Sequence, residues 1–321
     1  MTTRRWILRS AVTLAALATL GAGATSALAE NVTLRLGWQK GSVLSVIKAR
    51  GEFERKLKEK GVDLTWTEFP AGPQMLEGLN VGAIDFGVVG ETPPVFAQAA
   101  GADLVYAGVE PPAPQAEAIL VPKDSPIRSV AELKGKKVAL NKGSNVHFLL
   151  VRALEKAGLA YSDIEPVFLK PSDARAAFEK GAVDAWVIWD PYYAAAEAQI
   201  GARKLVDGTG AAANYNFYIA AKPFATAHGD VLKAVIEVIA EEDHRIAADL
   251  DAAADVVAPQ IGLPKEVALA ALKRYTYDAK FLTAEVVANQ QAIADAFAGL
   301  KLIPAKLDIA SVVWQPAPAV Q

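Results

Sequence analysis

A chain of 321 residues, 52% of them hydrophobic, is long enough for two domains or one large one and can bury a sizeable core. A formal net charge of −3, with no basic run, excludes a global field that would steer it to nucleic acid. The absence of cysteine excludes disulfides, thiolate nucleophiles and cysteine-ligated metals, and three scattered histidines do not make a zinc site.

The first stretch reads as a leader. Arg4-Arg5-Trp6-Ile7-Leu8-Arg9 is basic, Ala11 to Leu20 is apolar, and Ala27-Leu28-Ala29 is a small-x-small cleavage site. Residues 1–29 are therefore expected to be a secretory signal, with the mature chain starting near Glu30. The apolar run is too short for a comfortable bilayer span. The twin arginine resembles a Tat signal, but Ile7 stands where phenylalanine is usual, so Tat and Sec both stay open.

"VTLRLG", Val32 to Gly37, alternates as a strand does, and Ser42 to Lys60 reads as one helix closed by Gly61. Asp63 to Glu68 is a strand, Pro73 to Leu79 a helix, Ile84 to Val89 an apolar strand, Pro93 to Ala100 a helix, and Leu104 to Val109 a strand. This alternation predicts βαβ units and a mostly parallel sheet covered on both faces. Glu110-Pro111-Pro112-Ala113-Pro114 then reads as a crossing between domains. A second α/β run follows, with a strand at Ala118 to Val121, a short helix then a strand within "SVAELKGKKVAL", strands at Glu165 to Leu169 and Asp184 to Trp189, and helices at Asn145 to Ala157 and Asp173 to Lys180. Phe217 to Ala221 reads as a strand returning to the first domain, and from Val231 onward the chain is mostly alanine-rich helix.

"GAIDFGVVGETPP" and "GAVDAWVIWDPYY" share one layout. Gly82 matches Gly181, Asp85 matches Asp184, and Glu91 matches Asp190. The pair reads as a duplicated βαβ unit with one copy in each domain. Ligands of parallel α/β sheets bind beyond the carboxyl ends of strands, so two facing sets of ends predict a cleft.

Four loops follow a strand at that end: Trp38-Gln39-Lys40-Gly41-Ser42, Gly90-Glu91-Thr92-Pro93, Asn141-Lys142-Gly143-Ser144-Asn145 and Trp189-Asp190-Pro191. The second and third open helices, whose free first-turn N–H groups and dipole favour an anion. Gly90 and Gly143 leave room for a ligand, Thr92, Ser144 and Asn145 add donors, and Lys40 and Lys142 add positive charge. A sulfonate or sulfate suits such donors, because it is ionised at neutral pH and offers oxygens all round. Glu91 and Asp190 argue against a bare, highly charged anion unless lysine pairs with them or they meet an amine or hydroxyl of the ligand. Trp38 and Trp189 offer apolar walls for an organic tail. Plainer roles exist for the same residues. Ser144 or Asn145 can be a helix cap, Glu91 and Asp190 first-turn charges, Lys40 a solvated lysine, and His147 a packed or surface histidine. No nucleophile elbow and no histidine beside a serine or an acid pair occurs, so no catalytic set is expected.

"GWQKGS", "TEFPAGPQMLEGLNVGAIDFGVVGETPPVFAQAAGADL", "EPPAPQAEAILVPKDSPI", "LKGKKVALNKGSNVHFLLVRALEKAGL" and "DARAAFEKGAVDAWVIWDPY" resemble the aliphatic sulfonate-binding proteins of bacterial ABC importers. The match runs from about Leu34 to Gly210, within the wider group of taurine, nitrate and sulfonate binders. The resemblance implies a type II periplasmic binding protein: two α/β lobes with mostly parallel sheets, joined by two hinge segments, with ligand in the interlobe cleft. It implies lobe bounds of 30–112 plus 216–321 and 113–215, a monomer in the periplasm, and delivery of an alkanesulfonate to a membrane permease, with no metal, cofactor or nucleic acid. The family's pocket segments fall on Gln39, Gly90-Glu91-Thr92, Gly143-Ser144-Asn145 and Trp189-Asp190, with Lys40 beside them; Trp38 stands where tyrosine is commoner. Taurine, a sulfate ester or another oxyanion remains an alternative cargo. Sulfinate-cleaving enzymes of similar fold use a cysteine nucleophile, which this chain lacks.

Overall fold

The computed structural model describes residues 31–316, so the signal expected at 1–29 lies outside the described residues. The chain builds two five-stranded sheets. The first contains β1 (Val32–Trp38), β2 (Val62–Glu68), β3 (Phe86–Gly90), β4 (Leu104–Val109) and β10 (Asn216–Ala221), in the order β2-β1-β3-β10-β4. The second contains β5 (Glu117–Val121), β6 (Lys137–Leu140), β7 (Glu165–Phe168), β8 (Ala185–Trp189) and β9 (Arg203–Asp207), in the order β7-β6-β8-β5-β9. The topologies match strand for strand. Each sheet has one antiparallel member, β10 in the first and β5 in the second. Both are the first strand after a crossing, at residues 110–116 and 208–215.

Helices cover the sheets. The first half supplies α1 (Val43–Arg50), α2 (Glu52–Glu59), α3 (Gly72–Asn80) and α4 (Thr92–Ala99). The second supplies α5 (Asn145–Lys156), α6 (Pro171–Glu179) and α7 (Tyr192–Ile200). After β10 come α8 (Lys222–Ala227), α9 (Gly229–Ala248), α10 (Leu250–Ile261), α11 (Lys265–Leu272) and α12 (Ala284–Gly299). β3 and β8 are buried almost throughout, as strands sandwiched between helical layers must be. One core packs Leu34, Leu36 and Phe86 against α1, α2, α9 and α10. The other runs from α3, α4 and α12 into the second sheet and α5. Each fully buried Leu, Val or Phe contributes about 1.5–3 kcal/mol relative to exposure, so these cores fix the strand ends that carry the site.

Two departures from the sequence reading have local causes. The helix expected from Ser42 to Lys60 is broken at Gly51, whose φ of 71° takes the left-handed form and whose N–H bonds to Ile47 O. Residues 192–207 form α7 and β9, which the sequence pattern leaves unassigned. α7 is alanine-rich without a sharp apolar stripe, and β9 is a charged edge strand, so neither shows a clear period. Among the described residues no helix is long and apolar enough to cross a membrane.

Candidate functional site

The duplicated segments are built alike. The Asp85 carboxylate accepts the N–H of Arg35 on β1 at 2.9 Å, and the Asp184 carboxylate accepts the N–H of Lys137 on β6 at 2.8 Å. In return, the N–H groups of Asp85 and Asp184 bond to the carbonyls of Arg35 and Lys137 at 2.7 and 2.8 Å. Each aspartate locks its strand to its neighbour, which sets where β3 and β8 end. Beyond those ends lie Glu91 and Asp190.

The ends meet across a narrow gap. A Cβ on Gly41 would stand 2.2 Å from Asp190 O, and one on Gly90 would stand 2.8 Å from Asn145 Cβ. Only glycine permits so close an approach at these two points. Between them is a cavity lined by Gln39, Gly41, Ser42, Gly90, Asn145 and Trp189 from the loops expected to bind. Asn214, Asn216 and Tyr275 complete the polar wall. Helices α1, α4, α5 and α7 all begin within a few residues of these loops, twice the number expected. Some of their first-turn N–H groups are bonded within the protein, Ser45 N–H to Ser42 O, His147 N–H to Ser144 O and Ala194 N–H to the Asp190 carboxylate, and Pro93 and Pro94 at the start of α4 carry none.

The predicted residues divide into those that reach the cavity and those that shape it. Gln39, Gly90, Asn145 and Trp189 line it. Gln39 Nε2 donates to Val88 O at 2.9 Å, which fixes the side chain. Asn145 Nδ2 donates to Glu117 Oε2 at 2.7 Å and to Asn214 Oδ1 at 2.9 Å. Lys40 does not line this cavity but its neighbour, with Nζ 3.4 Å from Ile261 O. Thr92 is fully buried behind the wall, and its hydroxyl has no partner. Ser144 sits at the N-cap of α5, but its hydroxyl donates to Asn141 O at 2.7 Å instead of accepting a cap bond. Gly143 packs against the ring of Phe96 and donates its N–H to His147 Nδ1 at 3.2 Å. His147 is fully buried; burial lowers its pKa to about 4, so it is a neutral packing histidine that holds this loop. Lys142 is exposed, with its ammonium over Phe168.

Trp38 corrects the sequence reading. It was expected as an apolar wall, but it lies in the core with Lys48 over its ring. The cause is the period of two along β1, which puts Leu34, Leu36 and Trp38 on one buried face.

The carboxylates do not project free charge into the cavity. Asp190 accepts the N–H of Ala194 at 2.9 Å and pairs with Arg274 at 3.2 Å; Arg274 also pairs with Glu197 and lies 3.8 Å over Tyr193. Burial pushes Asp190 up to about 7 against the pull of Arg274. Among the described residues Glu91 has no cation beside it. It accepts the N–H of Tyr215 at 2.9 Å, and burial pushes it up to about 7. Glu117 is held well above the carboxylate range, by burial first and by the nearby Glu91 second. An anion in the cavity therefore meets amide donors rather than bare carboxylates. Among the described residues no cluster of three His, Asp or Glu side chains could hold a metal ion.

Sequence reasoning missed Glu117, Asn214, Asn216, Arg274 and Tyr275. Glu117 pairs with Trp189 on β5 and Asn216 pairs with Gly90 on β10, so both stand opposite a duplicated strand end. The one signal available was position: each follows a crossing, in "PQAEA" and "NYNFY".

A family model described as NMT1/THI5 like matches residues 57–249. The aliphatic sulfonates-binding protein of Escherichia coli (strain K12) is 48% identical over 305 residues, spanning 94% of this chain and 95% of that protein. Its counterpart in Bacillus subtilis (strain 168) is 34% identical over 303 residues, spanning 91% of this chain and 90% of that protein. The solved alkanesulfonate-binding protein from Xanthomonas axonopodis pv. citri, bound to MOPS, superposes with a TM-score of 0.84 at 43% identity. That match covers 89% of this chain and 99% of the solved one.

Proposed function

The chain belongs to the NMT1/THI5-like family, alongside the aliphatic sulfonates-binding proteins, and from that premise we propose that it captures aliphatic sulfonates for an ABC importer. It is a binding protein and not an enzyme. Its place of work is the periplasm, reached by a signal at residues 1–29 cleaved near Ala29, through Tat or Sec. Lobe one comprises 30–112 plus 216–321 and lobe two 113–215, with the two crossings as hinges. A closed lobe pair presents the bound sulfonate to the membrane permease.

The observation that carries this reading is the cavity where four helix N-termini converge and no charged side chain is among the lining residues. A sulfonate bears one charge spread over three oxygens. Amide donors at helix starts match it without a full countercharge. Binding follows closure: Gln39 and Gly90 come from one lobe, Asn145 and Trp189 from the other, so the full donor set exists only when the lobes meet. Thr92, Gly143 and Ser144 act from behind, shaping the loops, and Glu91 and Asp190 stay neutral or paired. Taurine loses the support the sequence lent it, because its ammonium would need a carboxylate facing the cavity and neither Glu91 nor Asp190 is among its lining residues.

The test is a melting-temperature series with ethanesulfonate, taurine, sulfate and nitrate, with the product mixture checked by mass. Ethanesulfonate at a hundred times its Kd stabilises by about 2.7 kcal/mol and is recovered unchanged. No stabilisation by any sulfonate, or turnover of one, defeats the reading.

A further inference from the structure

A second cavity adjoins the first. The two share Gly41, Ser42, Val88, Asn216 and Tyr275 as common walls. Its far side is built by α10 and α11 from Val257, Ile261, Ala268, Ala271 and Leu272. These helices bridge the halves of the molecule. Val257 and Ile261 join the core of the first sheet, while Ala271 packs against Ala194 and Ala195 of α7.

Most of the polar groups on this wall are already bonded within the protein. Ser42 Oγ donates to Gln39 O at 2.9 Å and Ser45 Oγ to Ser42 O at 2.7 Å. Tyr275 OH donates to Asp190 O at 3.0 Å and Tyr277 OH to Leu272 O at 2.8 Å. Thr276 Oγ1 lies 3.0 Å from the carbonyls of both Pro111 and Pro112, and the Glu110 carboxyl is taken up by Tyr218 OH and by the N–H of Asp278. A ligand group entering here finds aliphatic surface and few free donors. The first cavity differs, since helix-start amides and asparagines converge there.

We propose that this chamber receives the organic tail of the ligand, and that Ile261, Val257 and Leu272 on α10 and α11 set how long an unbranched apolar tail is accepted. The proposal rests on the sulfonate reading and adds the class of tail. The head group stays in the first cavity, among Gln39, Gly90, Asn145 and Trp189, and the tail passes Gly41 and Tyr275 into the chamber. Lys40 stands at the chamber wall instead of at the head group, so it contributes its stem and not a countercharge.

The test is calorimetric titration of the purified protein with methane-, ethane-, butane-, hexane- and octanesulfonate. Affinity rises about fourfold per added methylene while the tail still finds chamber wall, then stops rising. In Ile261→Ala the loss grows with tail length and reaches about tenfold for hexanesulfonate. Ile261→Val, a gentler change to the same wall, gives a smaller loss with the same trend. Equal affinity across the wild-type series, or a loss in both variants that ignores tail length, overturns the chamber while leaving sulfonate binding intact. Failure of every sulfonate to bind defeats the underlying reading as well.

Discussion

Two strand ends, at Glu91 and Asp190, answer each other across the cleft, yet their acids are managed in opposite ways. Asp190 is paired with Arg274, an arginine delivered just after α11 from far along the chain. Among the described residues Glu91 has no cation beside it, and it faces Glu117, so it is kept near neutrality by its own burial. One copy of a duplicated unit recruited an arginine, and the other has only burial and backbone N–H groups around its carboxyl, whose pKa is pushed up to about 7. Both leave the space between them without free negative charge, which is what a site for an anion requires.

That contrast can be broken first at Arg274. Arg274→Ala leaves Asp190 buried without its partner and costs about 3 kcal/mol at pH 8, the low end for a broken buried pair because Arg274 is partly exposed. The cost shrinks at pH 6, where Asp190 takes up a proton instead; urea unfolding at the two pH values checks it. A cost independent of pH would mean that Arg274 acts through packing on Tyr193 and not through charge.

Glu91→Gln sharpens the other half. The pKa of Glu91 is raised from 4.5 to about 7 in the folded protein, so the folded state binds the extra proton between those values. Its contribution is therefore favourable at low pH and is lost as pH rises through about 7. The wild type should lose about 2 kcal/mol more than Glu91→Gln between pH 5.5 and pH 8. Comparing the two proteins cancels Asp190, which titrates in the same range. Parallel stability curves would contradict a protonated Glu91.

Gly41→Ala tests whether the halves must touch. Its methyl would collide with the Asp190 carbonyl, a backbone atom that cannot move cheaply. Closure is hindered and sulfonate affinity falls about tenfold or more, a penalty above 1.4 kcal/mol, with little change in stability of the unliganded protein. Unchanged affinity would show that binding does not need this contact. Lys142→Ala gives the smallest effect. Its ammonium lies over Phe168 at the surface, so affinity changes by less than about twofold.

The sequence revealed what repeats locally. The duplicated glycine, aspartate and apolar run around β3 and β8 located the strand ends at Gly90 and Trp189, and the loops after β1 and β6 supplied Gln39 and Asn145. Burial on one face of β1 was equally readable, yet Trp38 was assigned to the pocket because aromatic residues at loop edges suggest ligand walls. What stayed hidden comes from distant parts of the chain. Arg274 reaches Asp190 across 84 residues, and Glu117 meets Asn145 across 28, with no local pattern to announce either. Thr92, Ser144 and Gly143 do not line the cavity: Thr92 is fully buried, the Ser144 hydroxyl donates to Asn141 O and the Gly143 N–H donates to His147 Nδ1. In the sequence, a donor next to a helix start looks the same whether or not a partner within the protein takes it.

The central claim is that a sulfonate head is held by amide donors where the two sheets face each other. A crystal structure of the protein with butanesulfonate tests it most directly. The account predicts the sulfur atom in the cavity lined by Gln39, Gly90, Asn145 and Trp189, oxygens at backbone N–H groups of the surrounding helix starts, and the butyl chain directed toward Ile261. A sulfonate seated on Lys142, or anywhere outside the space bounded by Gln39 and Trp189, would contradict it.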